Sequence, residues 1–257
     1  MTIDKIIAAV RTPFKEPLFI SVDKPIGANQ GEDFSTKVER LHSHRKGAKG
    51  IYFLIPGWQG TFKESKIYLL RDSIHRRGYA TLEYELPTDF LSHDVQLTYD
   101  RFMTFRDLVR ADMDRLKGSY DEMNIMGTSL GCVNSTMIAN DRTDISKHIL
   151  IVPGHCLAES LWLGHLTQIL KEQMDEEGMS LPKLKMLWHH LAPENNLDLS
   201  GKIYVHLSEA DAIIPYSCGN ALVKAMEQKG LQPHVKVNKH RGHYGTVISY
   251  YLSPRDV

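Results

Sequence analysis

The chain has 257 residues, 42% hydrophobic and 24% charged, the balance of a globular protein with enough material for a large core. Lys+Arg and Asp+Glu both number 31, so the formal net charge is zero, and no Lys/Arg-rich run marks a nucleic-acid footprint. No window approaches the roughly 18 apolar residues of a membrane span, and MTIDKIIAAVRTPF is too short and interrupted for a signal peptide.

In chain order, LFISVD (18–23) and KVERLHS (37–43) alternate apolar and polar residues, as exposed antiparallel edge strands do. RLHSHRKGAKG (40–50) is the most basic stretch and reads as a strand end and turn. IYFLIPG (51–57) is continuously apolar, like a strand covered on both faces. KESKIYLLRDSIHRRG (63–78) ends in basic residues and a glycine, as a helix C-terminus does. Strand runs follow at 80–87, 123–127, 148–154, 202–208 and 234–240. Between 95 and 117, Phe102, Phe105, Val109, Met113 and Leu116 recur at helical spacing, and 129–140 and 216–230 also read as helices. Such alternation predicts a mostly parallel sheet with helices on both faces. From 155 to 199 no strand appears, only two helix-like pieces, LAESLWLGHLTQILKEQMDEEG and PKLKMLWHHLAP. That excursion reads as a short helical cap over the sheet edge, within one domain spanning 1–257.

Three cysteines (Cys132, Cys156, Cys218) form neither a C-x-x-C pair nor a disulfide framework, which fits a reducing compartment and a cytoplasmic location. The pairs His42/His44 and His189/His190 lack carboxylate or thiolate neighbours for a metal. Neither a metal nor a cofactor is expected.

GTSLG (127–131) places Ser129 between two glycines, behind the apolar strand MNIMG and ahead of a helix whose apolar face includes Leu130, Cys132 and Val133. Strand, tight turn and helix is the setting of a nucleophile elbow, and the helix N-terminus favours developing negative charge. The same string also suits a serine that caps a helix. A base is offered by His243 in KHRGHYGTV, after the last strand and flanked by Gly242 and Gly245; His240 at the strand end competes for the role. SEADAIIP offers an acid, with Asp211 favoured by position over Glu209, although either carboxylate also suits a cap or solvated loop. IPGWQG (55–60) follows the first buried strand, where Gly57 and Gly60 permit close backbone approach. The Trp58 and Leu130 N–H groups are the candidate oxyanion donors. Trp58 also suits a core or interface anchor, and one residue can serve both roles.

These motifs, in the order Ser129, Asp211, His243, resemble the α/β-hydrolase family over nearly the whole chain. Pro56 departs from the His-Gly pair many members carry in the oxyanion loop. The resemblance implies a nucleophilic serine, with Asp211 orienting His243 as general base and then general acid. It implies a sheet of about eight strands and cleavage of a small-molecule carboxylic ester through an acyl-serine. Thioesterase and acyltransferase chemistry share the triad, and a non-catalytic binding protein on the same fold is the remaining alternative. Trp58, Trp162 and Trp188 are the expected apolar substrate contacts.

Overall fold

The computed structural model describes residues 6–10, 18–23, 34–44, 46–58 and 65–257. Its strands are β1 (Ile6–Val10), β2 (Leu18–Asp23), β3 (Glu39–His44), β4 (Gly50–Ile55), β5 (Tyr79–Glu85), β6 (Glu122–Thr128), β7 (Ile145–Ile151), β8 (Lys202–Ser208) and β9 (His234–Asn238). They form one sheet in the order β1-β2-β3-β5-β4-β6-β7-β8-β9. β1, β2, β3 and β5 pair antiparallel in turn, and every pairing from β5 through β4 to β9 is parallel.

The sheet therefore has nine strands among the described residues, one beyond expectation, and β1 is the addition. A five-residue strand, IIAAV, has too little alternation to be told from an apolar loop. Because β1 takes the edge, β2 and β3 are interior antiparallel strands rather than edges. The opposite edge is β9, most of whose residues are exposed.

The uninterrupted apolar run of β4 is explained by burial of all six of its residues. Ile51, Phe53 and Ile55 point into the larger core with Phe102, Phe105 and Val133, while Tyr52 and Leu54 point to the other face with Leu70, Ile74 and Tyr250. This is the period-2 alternation of a strand covered on both sides. The covering helices are α1 (Ser65–Arg76), α2 (Val95–Leu116), α3 (Leu130–Ala139), then α4 (Leu157–Leu163), α5 (Gln168–Glu176), α6 (Leu181–Leu187), α7 (Tyr216–Gln228) and α8 (His243–Leu252). α1 and α8 pack together on one face, and α2 packs on α3 on the other.

The two helix-like pieces of the 155–199 segment are more broken than their apolar spacing implies. The first becomes α4 and α5, separated by a 3-10 turn at His165–Thr167. Gly164 ends α4 in an extended conformation, and the Thr167 hydroxyl donates to the Gly164 and Leu161 carbonyls. The second piece gives α6 and two 3-10 turns, His189–Leu191 and Pro193–Asn195. These turns pack on α3, and the second also on α7.

The strand order turns outward from β4. The chain leaves to β5 on one side and returns to β6 on the other, which opens a crevice at the carboxyl ends of β4 and β6. Register carries the arrangement across the sheet, since Ile55 pairs with Gly127, Gly127 with Leu150, and Leu150 with Val205. Loops leaving β4, β6, β7 and β8 thus emerge along one edge.

Candidate active site

Ser129 sits between β6 and α3 with φ 54° and ψ −121°. A non-glycine residue at positive φ is strained, and such strain needs surroundings that over-determine it. Gly131 and Gly127 supply part of that constraint. A Cβ on Gly131 would lie within 3.0 Å of the Ile55 and Pro56 carbonyl oxygens, and one on Gly127 within 3.0 Å of Gly131 O and Cys132 Cα. Both glycines of GTSLG are therefore steric requirements of the turn. The Ser129 N–H donates to Ile151 O at 2.9 Å, and its carbonyl accepts from the Cys132 N–H at 2.9 Å. The Ser129 side chain makes no cap hydrogen bond to α3, which removes the capping explanation for this serine.

Val152, the residue after that Ile151 carbonyl, is also at positive φ, 51°. Its N–H donates to His206 O at 2.8 Å. A β-branched residue in this region is rarer still than a serine. Two strained residues therefore lie side by side where β6 and β7 end.

His243 is the first residue of α8, and Asp211 lies in the loop between β8 and α7. The His243 Nδ1–H donates to Asp211 Oδ2 at 2.7 Å, with side-chain exposures of 6% and 3%. Asp211 Oδ1 accepts from the Ile213 and Ile214 N–H groups, each at 2.9 Å. The carboxylate is thus held at both oxygens. Glu209 and His240 are exposed, and neither enters this pair. Near the far end of α8, Tyr251 hydroxyl and Thr128 Oγ1 lie 3.0 Å apart, which pins the histidine's helix to the residue before Ser129.

Ser129 and His243 line one cavity of about 490 Å³, together with Gly57, Trp58 and Leu130. Among the described residues no hydrogen bond joins Ser129 to the imidazole; such contacts commonly tighten only when substrate binds. A Cβ on Gly57 would stand 3.3 Å from Ser129 Cβ and 3.9 Å from its Oγ, so the loop after β4 passes directly over the serine. Leu130 heads α3, where the helix supplies no partner for its N–H. Gly60 lies outside the described residues.

The remaining walls are mostly apolar, with Thr128, Ser160 and Thr167 as hydroxyl exceptions. Leu157 and Leu161 come from α4, Ile213 and Ile214 from the Asp211 loop, and Tyr244, Val247 and Ile248 from α8. Trp162 and Trp188 are not among the lining residues, which corrects their assignment as substrate contacts. Trp188 is 1% exposed and donates its indole N–H to Val95 O at 3.0 Å, anchoring the 155–199 segment to α2. Trp162 packs against the core, with Lys171 Nζ 5.7 Å from its ring centroid. The α4 leucines were visible as apolar positions four apart, but a helix with apolar residues on several sides does not disclose which side meets a cavity.

The other singled-out residues have local partners. His42 Nε2 and Tyr120 hydroxyl lie 3.2 Å apart, the His42 and His44 rings lie tilted with centroids 4.9 Å apart, and the His189 and His190 rings meet edge-on. Among the described residues no group of three or more His, Cys, Asp or Glu gathers as a metal site. Cys132, Cys156 and Cys218 are all free and buried, and burial pushes each thiol pKa up. No helix among the described residues is long and apolar enough to cross a membrane.

A strained serine after a central parallel strand, under a mostly parallel sheet flanked by helices, defines the class as an α/β-hydrolase-fold serine hydrolase. The prolyl oligopeptidase family model matches residues 96–251, more than half of the chain, and the protein belongs to that family. No curated protein sequence matches at a significant level. Among solved structures, an acetyl xylan esterase from Paenibacillus sp. R4 superposes with TM-score 0.68 at 13% identity, covering 95% of this chain and 84% of that one. Est1E from Butyrivibrio proteoclasticus gives 0.60 at 14% identity, with 96% of each chain covered. Pyrococcus horikoshii acylaminoacyl peptidase gives 0.64 at 11% identity, covering 93% of this chain and 46% of that one. At these identities the likeness is one of fold.

Proposed function

We propose that this hydrolase cleaves small carboxylic esters through an acyl-serine intermediate, with Ser129 as nucleophile, His243 as general base and acid, and Asp211 as the orienting carboxylate. The supporting observation is that Ser129, on its strained turn, shares a cavity with a histidine whose Nδ1–H is held 2.7 Å from a doubly anchored carboxylate. With Nδ1 carrying the hydrogen-bonded proton, Nε2 of the neutral ring is the nitrogen that accepts one.

In the first half-reaction Ser129 Oγ bonds to the carbonyl carbon while its proton passes to His243 Nε2. The carbonyl π electrons move onto oxygen, and the Trp58 and Leu130 N–H groups stabilise that charge. Collapse expels the alcohol, which takes the proton from Nε2 and leaves the acyl-serine. Water then repeats the sequence, gives its proton to Nε2 and releases the acid, and Ser129 regains its proton. No metal or cofactor has a part in these steps.

The 155–199 segment acts in this reading as a cap within one domain, and its Leu157 and Leu161 limit the acyl group. A cytoplasmic location belongs to the same proposal and rests on three buried cysteines in no disulfide. Thioester cleavage and acyl transfer use the same groups and differ in leaving group or acceptor. The family match favours one further reading, hydrolysis of a peptide bond.

The test pairs labelling with turnover. A fluorophosphonate should label the wild-type protein and not Ser129→Ala, and p-nitrophenyl acetate or butyrate should be hydrolysed faster than an acyl thioester or a peptidyl p-nitroanilide. An unlabelled, inert wild-type protein would refute the catalytic assignment. A preference for the thioester or anilide would move the substrate class while leaving the triad in place.

A further inference from the structure

Helix α8 separates two cavities. Tyr244, Val247, Ile248 and Tyr251 turn toward the serine cavity, and Thr246, Ser249, Tyr250 and Ser253 turn toward a second one of about 470 Å³. The second cavity lies between α8, β8 and β9, and its chemistry is opposite in kind. Lys236, Lys239, Arg241 and Arg255 line it, and no Asp or Glu does.

Among the described residues none of these four cations takes part in an ion pair. Asp256, next to Arg255, is engaged at 2.6 Å by Nε2 of His206, which also lines the cavity. Lysines on an exposed edge strand have an ordinary purpose, since they deter pairing with other sheets. That accounts for Lys236 on β9. It does not account for Arg241 in the following loop or Arg255 beyond α8, which converge on the same hollow from separate parts of the chain. Four like charges around one concavity repel one another, and the concavity concentrates the resulting field. The chain as a whole carries no net charge, so this is a local arrangement and not an overspill of a basic protein.

We infer that the cavity behind α8 is a binding site for a phosphate-bearing small molecule. A phosphate group carries close to two negative charges at neutral pH and offers several acceptor oxygens, which suits planar arginine forks combined with lysine ammonium groups. The Ser249 and Ser253 hydroxyls line the same wall as neutral donors. The volume exceeds what a bare ion needs, so the rest of a small phosphate ester has room. The site stands apart from the ester-hydrolase reading and does not depend on it.

Isothermal titration calorimetry at pH 7, with ionic strength held constant by sodium chloride, tests the assignment. Inorganic phosphate and glucose 6-phosphate are titrated into wild-type protein and into Lys236→Gln and Arg255→Gln. One saturable site for at least one titrant is expected, weakened about tenfold or more in each variant, as loss of a charge-assisted contact implies. Tighter binding of the sugar phosphate would identify an ester as the ligand, and equal binding would identify phosphate itself; both support the site. Wild-type melting temperatures in the variants would show that folding is not the cause. Absence of saturable binding by both titrants, or binding that neither substitution weakens, would overturn the inference.

Discussion

Replacing Asp211 by asparagine should nearly abolish turnover, for a reason the hydrogen bonds around it make specific. One carboxylate oxygen already accepts two backbone N–H groups, from Ile213 and Ile214 at 2.9 Å, and the other accepts the His243 Nδ1–H at 2.7 Å. An asparagine in this position has one acceptor and one donor group. Turning its NH2 toward the loop would set donor against two donors, so its carbonyl keeps the loop and its NH2 faces the imidazole. Nδ1 must then accept, the ring proton moves to Nε2, and the base can no longer take the proton of Ser129. Loss of the correct tautomer is worth about four orders of magnitude, or roughly 5 kcal/mol of activation free energy. Initial rates on p-nitrophenyl acetate, beside a thermal melt that stays at the wild-type value, provide the measurement. Activity within about tenfold of wild type would refute the argument, as would equal damage from Glu209→Gln.

The remaining predictions concern the frame around the site. Gly131→Ala should cost about 2 kcal/mol and lower the melting temperature by about 6 °C, because its methyl group meets two backbone carbonyls that have no rotamer to change; an unchanged melt would remove the steric account of the elbow. Trp188→Ala should destabilise by about 3–5 kcal/mol without altering acyl-length preference across p-nitrophenyl esters, whereas Leu161→Ala should shift that preference toward longer chains. His148, fully buried with Nε2 3.1 Å from Ser135 Oγ, has its pKa lowered by burial from 6.5 to about 3. The unfolded chain binds the proton first on acidification, so this contribution is complete above pH 6.5 and fades toward pH 3. Glu194, raised by burial to about 7, acts in the opposite sense, so the informative quantity is a difference. The stability gap between wild type and His148→Gln in urea should narrow by about 2 kcal/mol from pH 7 to 5, and a constant gap would contradict a neutral buried ring.

What was legible in the chain follows from where each constraint resides. The GTSLG turn could be read because its steric demands are local, and the two glycines meet backbone only a few residues away or on the adjoining strand. β4 announced its two-sided burial through composition alone. Asp211 and His243 were legible because the parallel register delivers their loops to the same edge. The cavity wall was not, since α3, α4, α8 and the Asp211 loop each contribute only a few side chains. Trp188 misled because an indole suits a ligand wall and a core anchor equally, and only the Val95 carbonyl decides between them. The cationic hollow was invisible for a related reason. Its charges stand at 236, 239, 241 and 255, too dispersed to register as a basic run.

The backbone at the end of β7 bears on how this protein can be re-engineered. Ile151 lends its carbonyl to the Ser129 N–H, Val152 sits in a left-handed conformation with its N–H on the His206 carbonyl, and the 155–199 segment begins only beyond them. A segment transplanted from another hydrolase with its junction at Ile151 would replace the residues that shape the turn of Ser129. A junction after Gly154, where an added Cβ would stand within 3.0 Å of Ser160 Oγ of α4, would disturb that close approach but leave Ile151 and Val152 native. The safe seam for exchanging the 155–199 segment therefore lies inside the loop, a few residues past the end of the strand.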